Sequence, residues 1–580
     1  MTLLIRHCLG VTVATTLVTS AFAQSAPMLE SPSAREKIPP AQVVVGREGM
    51  VVAQEARAAQ IGAEVLRQGG NAVDAAVAVG FALAVTSPRA GNIGGGGFMM
   101  IHLAGPNMQT AIDYRETAPA AATRDMFLDD KGEADPSKSR DSALAIGVPG
   151  TVAGFAMALD RYGSGKFNLA DMIAPALKLA REGVPIEGDT ADSLPSMLQR
   201  LSRWPSSASI FRRPDGSPLR PGDLLVQSDL AKTLTAIAWQ GPKGFYTGPI
   251  AYKLASAIQA AGGIMTPADL ANYRAIVRTP VVGTYRGFDV AAMPPSSSGG
   301  VVLIEMLNIL EGYQLNQLSD VERLHVMIEA MRRAYADRAA FLGDPSVVQA
   351  PLDRLMSKAY AAELRKGIDL KRATPSSAIR SLIAPAREGS NTTHFSVTDS
   401  FGNAVANTYT LNFSYGLGFV ADGTGVLLNN ELDDFAAKPG APNAYGLVGG
   451  EANAPGPNKR PLSSMTPTIV LKESQPTLVT GSPGGSRIIT TVLQVISNMI
   501  DKGMNVADAV AAPRIHQQWL PDEVYAEPGL PPQVLRGLAE RGHRLVVVPP
   551  ASSANSIAIT ADGYIGAADP RTRGALAVGE

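Results

Sequence analysis

Asn391-Thr392-Thr393-His394-Phe395 is the stretch on which the reading of this 580-residue chain turns. It follows an aperiodic, turn-rich segment from Ala373 to Asn391, which holds Thr374-Pro375-Ser376-Ser377 and Gly389-Ser390. It opens an alternating run, Thr392 to Asp399, that predicts a β-strand. A hydroxyl is a weak nucleophile until a base sits beside it. A chain that cuts itself just before a threonine supplies that base as the α-amine freed on the same residue. Such an amine titrates near pH ~7.7–8.0, suited to general-base work. Asn391-Thr392 therefore reads as a self-cleavage bond, and Thr392 as the catalytic residue of the mature chain. The plain alternative is a pair of β-branched residues opening a strand, so the rest of the sequence must decide.

The composition is that of a large globular protein, with 45% hydrophobic and 18% charged residues. The net charge of −1 gives no footing for nucleic acid or an anionic membrane. The 57 glycines and 42 prolines imply many turns and close backbone approaches. Arg6, the uncharged run Leu9 to Thr19 and Ala21-Phe22-Ala23 together read as a secretory signal spanning residues 1–23. The run is too short for a permanent membrane anchor. The expectation is export, to the periplasm or beyond, of a mature chain starting near Gln24. The single cysteine, Cys8, falls inside that segment, so the mature chain has no thiol for disulfides, catalysis or metal binding. His7, His102, His325, His394, His516 and His543 are scattered, without ligand spacing, which disfavours a metal enzyme. His394 is adjacent to Thr393 on a strand, so it faces the other way and reads as structural.

Along the chain, Val43 to Val52 predicts strand, turn and strand, and Glu55 to Arg67 a helix stopped by Gly69-Gly70. Asn71 and Asp74 predict the cap of a second helix, Ala72 to Thr86, whose all-round apolar surface marks it as buried. Gly91-Asn92-Ile93-Gly94-Gly95-Gly96-Gly97 follows, then a strand from Phe98 to Leu103. The run lacks the Gly-Lys-Ser/Thr ending of a phosphate loop and precedes a strand, so close backbone packing near a site is the better reading. The middle is helical, at Val301 to Glu311 and Val321 to Leu342. Beyond Thr392 hairpins dominate: Thr392–Asp399 with Ala404–Leu411, Thr468–Lys472 with Thr477–Thr480, and Ser556–Thr560 with Tyr564–Ala567. A helix from Ser486 to Lys502 separates the last two. This order predicts two sheets sandwiched by helices.

Several groups suit acyl chemistry. Ser482-Pro483-Gly484-Gly485-Ser486 joins a strand to a helix, and its glycine N–H groups at a helix N-terminus suit an oxyanion hole, the alternative being a plain turn. Asn429-Asn430-Glu431-Leu432-Asp433-Asp434-Phe435 gathers three acids, either a solvated turn or a clamp for an ammonium group. Arg115 and Ser463-Ser464 suit a carboxylate. Together they describe a pocket for a zwitterionic amino-acid head.

With Thr392–Ser396, Thr408-Tyr409-Thr410-Leu411-Asn412, Asn429–Phe435, Pro457 to Met465 and Gly481 to Arg487, the chain resembles the gamma-glutamyltransferases (gamma-glutamyltranspeptidases, glutathione hydrolases). Gly69 to Asp74, Gly94–Gly97, Arg115-Glu116 and Arg333-Ala334-Tyr335-Ala336-Asp337 extend the resemblance over nearly all of the mature chain. It implies an α+β N-terminal-nucleophile hydrolase, a four-layer αββα sandwich. It implies a precursor that cuts itself into a large subunit, residues 24–391, and a small one, residues 392–580, which stay together as one intertwined unit. It assigns Thr392 as nucleophile, Thr410 as its orienting partner, and Gly484 and Gly485 as the oxyanion hole. It assigns Arg115, Ser463 and Ser464 to the substrate α-carboxylate, and Asn412, Glu431 and Asp434 to its α-ammonium. Pro439 to Lys459, with Tyr445, resembles a lid loop over this pocket and favours small substrates. The implied partners are glutathione and related γ-glutamyl compounds as donors, with water, amino acids or dipeptides as acceptors; no cofactor is implied.

Two alternatives compete. One is another reaction on the same fold, a glutaryl-type cephalosporin acylase or a poly-γ-glutamate-processing enzyme. The acylase substrate has no α-ammonium and no need of Glu431 and Asp434. The other is an exported amino-acid binding protein, which explains the pocket but not the cleavable stretch before Thr392.

Overall fold

Thr393–Asp399 and Ala404–Thr410 form an antiparallel hairpin, with Thr393 opposite Tyr409 and Thr398 opposite Ala404. The computed structural model that contains it describes residues 38–379, 391–443 and 446–580. The expected signal segment with Cys8, and Tyr445 of the expected lid, lie outside those residues.

The hairpin occupies the middle of a seven-stranded sheet. Gly49–Ala53 and then Leu576–Gly579 flank it on one side. Gly96–Leu103, Met108–Asp113 and Ile276–Arg278 flank it on the other. A second seven-stranded sheet runs from Gln42–Gly46 through Gly563–Ala568, Ser556–Thr560, Gln475–Thr480, Thr468–Lys472 and Phe288–Ala292 to Val281–Tyr285.

Three apolar cores correspond to the three interfaces of four layers. One joins the first sheet to helices that include Ala56–Arg67, Ala72–Thr86 and Leu169–Glu182. A second, with Met50, Phe98 and Met100 facing Ile469, Val479 and Ile557, lies between the sheets. A third joins the second sheet to Gly299–Leu310, Asp320–Phe341 and Arg487–Ile500. The architecture is the αββα sandwich.

Local sequence explains the elements that matter here. Asn71 and Asp74 make the anticipated reciprocal cap, and every residue of Ala72–Thr86 is buried. In the strand Thr393–Asp399, Phe395 and Val397 enter the helix-side core. His394, Ser396 and Thr398 have the opposite parity and face the second sheet. That polar row is buried; His394 and Ser396 are bonded internally, whereas the Thr398 hydroxyl has no hydrogen-bond partner among the described residues. Ser396 donates to the carbonyl of Asn555 at 2.9 Å, and a ring nitrogen of His394 lies 2.8 Å from the Thr408 hydroxyl. Burial pushes His394 down to about 3, so it is neutral and structural.

Several boundaries shift by one or two residues from the sequence reading. The glycine-rich run enters the sheet at Gly96 rather than Phe98. The hairpin after Lys472 turns on two residues, Glu473 and Ser474, both with positive φ. Gln475 and Pro476, expected in the turn, are already strand, and a bulge beside Leu471 accommodates the proline.

Candidate active site

Thr392 immediately precedes the Thr393–Asp399 strand and is 7% exposed. Its hydroxyl lies 3.5 Å from that of Thr410, the last residue of the partner strand. Thr410 donates in turn to the carbonyl of Asn391 at 3.0 Å, the acyl side of the expected cleavage bond. The Thr410 oxygen is itself held by the N–H of Asn412 at 2.9 Å. The glycine run brings another chain against this point. A Cβ on Gly95 would lie 2.1 Å from the Thr410 carbonyl, so only glycine fits. The reading of that run as close packing beside a site agrees with this.

Gly484 and Gly485 lie between the strand Gln475–Thr480 and the helix Arg487–Ile500, with φ of 132° and 57°. Residues with a Cβ rarely take such angles. Among the described residues neither glycine N–H has a backbone acceptor. The helix N-terminus behind them adds positive potential.

Arg115 is fully buried. It donates to Glu431 from Nη1 and to Asp434 from Nη2, and its Nε holds the Pro461 carbonyl at 3.1 Å. The acids are thus a buried cluster rather than a solvated turn. The groups expected to take the two ends of a zwitterion are bonded to each other. Burial raises the Glu431 and Asp434 carboxyls, against the pull of Arg115. Burial also pushes neighbouring Glu116 up to about 8. Burial opposes the Arg115 charge, but Glu431, Asp434 and Glu116 outweigh it and raise its pKa. One guanidinium among three buried acids favours a site that holds a proton or accepts a cation.

These groups converge. Thr392, Thr410, Asn412, Arg115, Glu431, Asp434, Ser463, Ser464 and Gly485 line one cavity of about 280 Å³. Gly484 lines a second cavity, of about 700 Å³, which also reaches Thr392 and Asn391. Leu447 brings the expected lid segment to the first cavity. Pro442 pairs with Val448 there, and the Asn443 amide lies 3.3 Å from an Asp434 oxygen.

Sequence reading missed Arg338. It is 4% exposed and donates to the hydroxyls of Ser298 (2.9 Å) and Ser464 (3.2 Å), fixing the serine wall of the cavity. Tyr335, one turn earlier, holds the carbonyl of Ser486. Burial rather than the sequence reveals it: the helix from Asp320 to Phe341 is buried almost throughout, so its charged residues turn inward. The scattered histidines also conceal a contact, with His325 and His543 ring nitrogens 2.7 Å apart.

An αββα sandwich with its candidate site at the start of an inner strand is that of the N-terminal-nucleophile hydrolases. The family model for Gamma-glutamyltranspeptidase matches residues 58–579. The chain belongs to the gamma-glutamyltranspeptidase family. It is 52% identical, over 92% of each chain, to a glutathione hydrolase proenzyme of Escherichia coli. It is 38% identical to an acylase ACY 1 proenzyme of a Pseudomonas species, over 90% of this chain and 91% of the other. Among solved structures it is similar to a cephalosporin acylase from Bacillus halodurans, with 28% identity and a TM-score of 0.82, covering 96% of this chain and 99% of that one.

Proposed function

We propose that this chain is a self-processing gamma-glutamyltransferase and glutathione hydrolase with Thr392 as its nucleophile. The observation that carries the reading is the single cavity in which Thr392 and Thr410 meet Arg115, Glu431, Asp434, Asn412 and two serines. A hydroxyl nucleophile and a clamp for an amino-acid head then face the same small volume.

Maturation begins at Thr392 in this proposal, which the Thr392–Thr410–Asn391 contacts support. The Thr392 hydroxyl attacks the Asn391 carbonyl carbon while Thr410 draws on the carbonyl oxygen. The C–N bond breaks, the nitrogen takes up a proton, and Asn391 is carried as an ester. Water hydrolyses the ester, leaving a carboxylate at Asn391 and a free amine at Thr392. That amine takes the hydroxyl proton in the next cycle. Thr392 attacks the γ-carbonyl of the donor, and the oxyanion is met by the N–H groups of Gly484 and Gly485. The amine product leaves with a proton, and water or an acceptor amine resolves the γ-glutamyl ester. Arg115, Ser463 and Ser464 hold the α-carboxylate; Glu431, Asp434 and Asn412 hold the α-ammonium. Residues 1–23 direct export.

Intact mass under denaturing conditions is the test. Two chains breaking between Asn391 and Thr392 are expected, and one uncut, inactive chain for Thr392→Ala. A cut Thr392→Ala protein overturns the assignment. The acylase reading is opposed by the two carboxylates buried beside Arg115, which a glutaryl chain leaves without an ammonium partner. A glutaryl anilide hydrolysed faster than a γ-glutamyl anilide reverses that judgement.

A further inference from the structure

Thr392 is the wall shared by two cavities, and only the first holds the amino-acid clamp. The paired glycines divide in the same way, Gly485 facing the first cavity and Gly484 the second. A carbonyl held at Thr392 between those two N–H groups has its acyl chain in the first cavity, and its other substituent points to the second. Asn391 lines the second cavity. The amine that cleavage frees on Thr392 stands where the Asn391 carbonyl carbon was bonded, so it opens on that side too. The group that must hand a proton to the leaving amine, and later take one from the attacking amine, therefore serves the second cavity.

The walls there are polar. Arg89 and Asp189 form an ion pair whose side chains are 27% and 29% exposed. Arg89 also donates from Nε to the Ser414 hydroxyl at 2.8 Å. Its Nη2 has no hydrogen-bond partner among the described residues, and a guanidinium carries five N–H donors. Gln54 lines the same cavity, its amide 3.4 Å from the Thr572 hydroxyl. We propose that this second cavity is the subsite of the leaving amine and the incoming acceptor, and that Arg89 takes the acceptor's free carboxylate.

This rests on the gamma-glutamyltransferase reading and adds to it the place and selectivity of the second substrate. In the transfer step the acceptor nitrogen forms a bond to the ester carbon and gives a proton to the Thr392 amine. The ester C–O bond breaks, and the Thr392 oxygen takes that proton back. The acceptors selected are short, with an unblocked carboxylate one or two residues from the reacting amine; capped or strongly apolar acceptors are disfavoured.

The test uses the mature enzyme with γ-glutamyl-p-nitroanilide as donor and two acceptors, glycylglycine and glycylglycinamide. The expected KM for glycylglycine is about ten-fold below that for its amide, as for one charge-assisted hydrogen bond. Arg89→Gln is expected to remove that difference by raising the glycylglycine KM, with donor KM shifted by less than about two-fold. Should Arg89→Gln fail to mature, Gln54→Glu sets a like charge in the same wall. It is expected to raise the glycylglycine KM by about three-fold and leave the amide unaffected. Equal KM values for the two acceptors in the parent, or discrimination retained in both variants, overturns the proposal while donor hydrolysis stands. An uncut protein, or one that releases no nitroaniline, overturns both readings.

Discussion

At the scale of single residues, Thr410 has the most exposed role after Thr392. Its hydroxyl receives one hydrogen bond from Asn412, lies beside the Thr392 oxygen and donates to the carbonyl that must be attacked. Thr410→Ala removes that donor without opening a large void. Self-cleavage is expected to slow by about 10²-fold, the usual loss for one oxyanion donor. A time course of chain cutting measures it, and cutting at the parent rate excludes Thr410 from the step. Much of this site was legible as residue types: a threonine, a glycine pair, an arginine and acids with two serines. What no residue type reveals is that Arg115 is bonded to Glu431 and Asp434. Nor does spacing reveal that Arg338 braces Ser464. Both contacts depend on where distant segments come to lie.

At the scale of elements, the site is built by strand ends and held by glycine. The Thr393–Asp399 hairpin sets Thr392 against Thr410 by register alone, and Gly95, just before the neighbouring strand Gly96–Leu103, packs against the Thr410 backbone. Gly95→Ala places a methyl 2.1 Å from the Thr410 carbonyl, so that strand end must shift. The expected result is a folded protein that remains uncut, seen as one chain by denaturing electrophoresis with a normal far-UV spectrum. Normal cutting would mean that the strand end yields without moving Thr410. Elements with strong local signals matched the sequence well, above all the Asn71-capped helix and the central hairpin. The turn at Glu473-Ser474 was misjudged because Pro476 signals a turn locally. The sheet tolerates it where a bulge has already interrupted the ladder.

At the scale of the whole molecule, buried titratable groups shape the pH dependence of stability. Burial pushes His394, His516 and His543 each down to about 3. The unfolded chain takes up these protons near pH ~6.5, so each favours unfolding as pH falls below that value. Burial raises Glu116 to about 8 and raises Glu431 and Asp434 also. All three bind protons more tightly when folded; the Glu116 contribution, present below pH ~4.5, is lost as pH rises through about 8. Between ~4.5 and ~6.5 Glu116 and the three histidines act in opposite directions, at ~1.4 kcal/mol per pH unit per group. Below that window the histidine loss continues, joined by carboxylates held low in the folded chain, among them buried Asp569 beside its arginine neighbours. Thermal melts across pH are expected to show maximal Tm in mildly acid solution. Glu116→Gln should lessen the decline on the alkaline side. A Tm that rises steadily to pH ~8 contradicts the assignment of raised acids.

Both sheets take strands from each side of Asn391-Thr392. In the first, Gly49–Ala53 lies between Leu576–Gly579 and Thr393–Asp399; in the second, four strands from beyond Thr392 are bracketed by strands from before it. Assembly of these layers as one chain is unimolecular and independent of concentration. After the cut, the same ladder of pairings would have to be found by two separate molecules, each with unpaired edges prone to aggregate. The proposed cut would thus be a one-way gate: it would presuppose the finished sandwich and remove the tether by which the sandwich was made. Durability of the mature protein is then governed by how slowly it opens, since what opens has lost its route back.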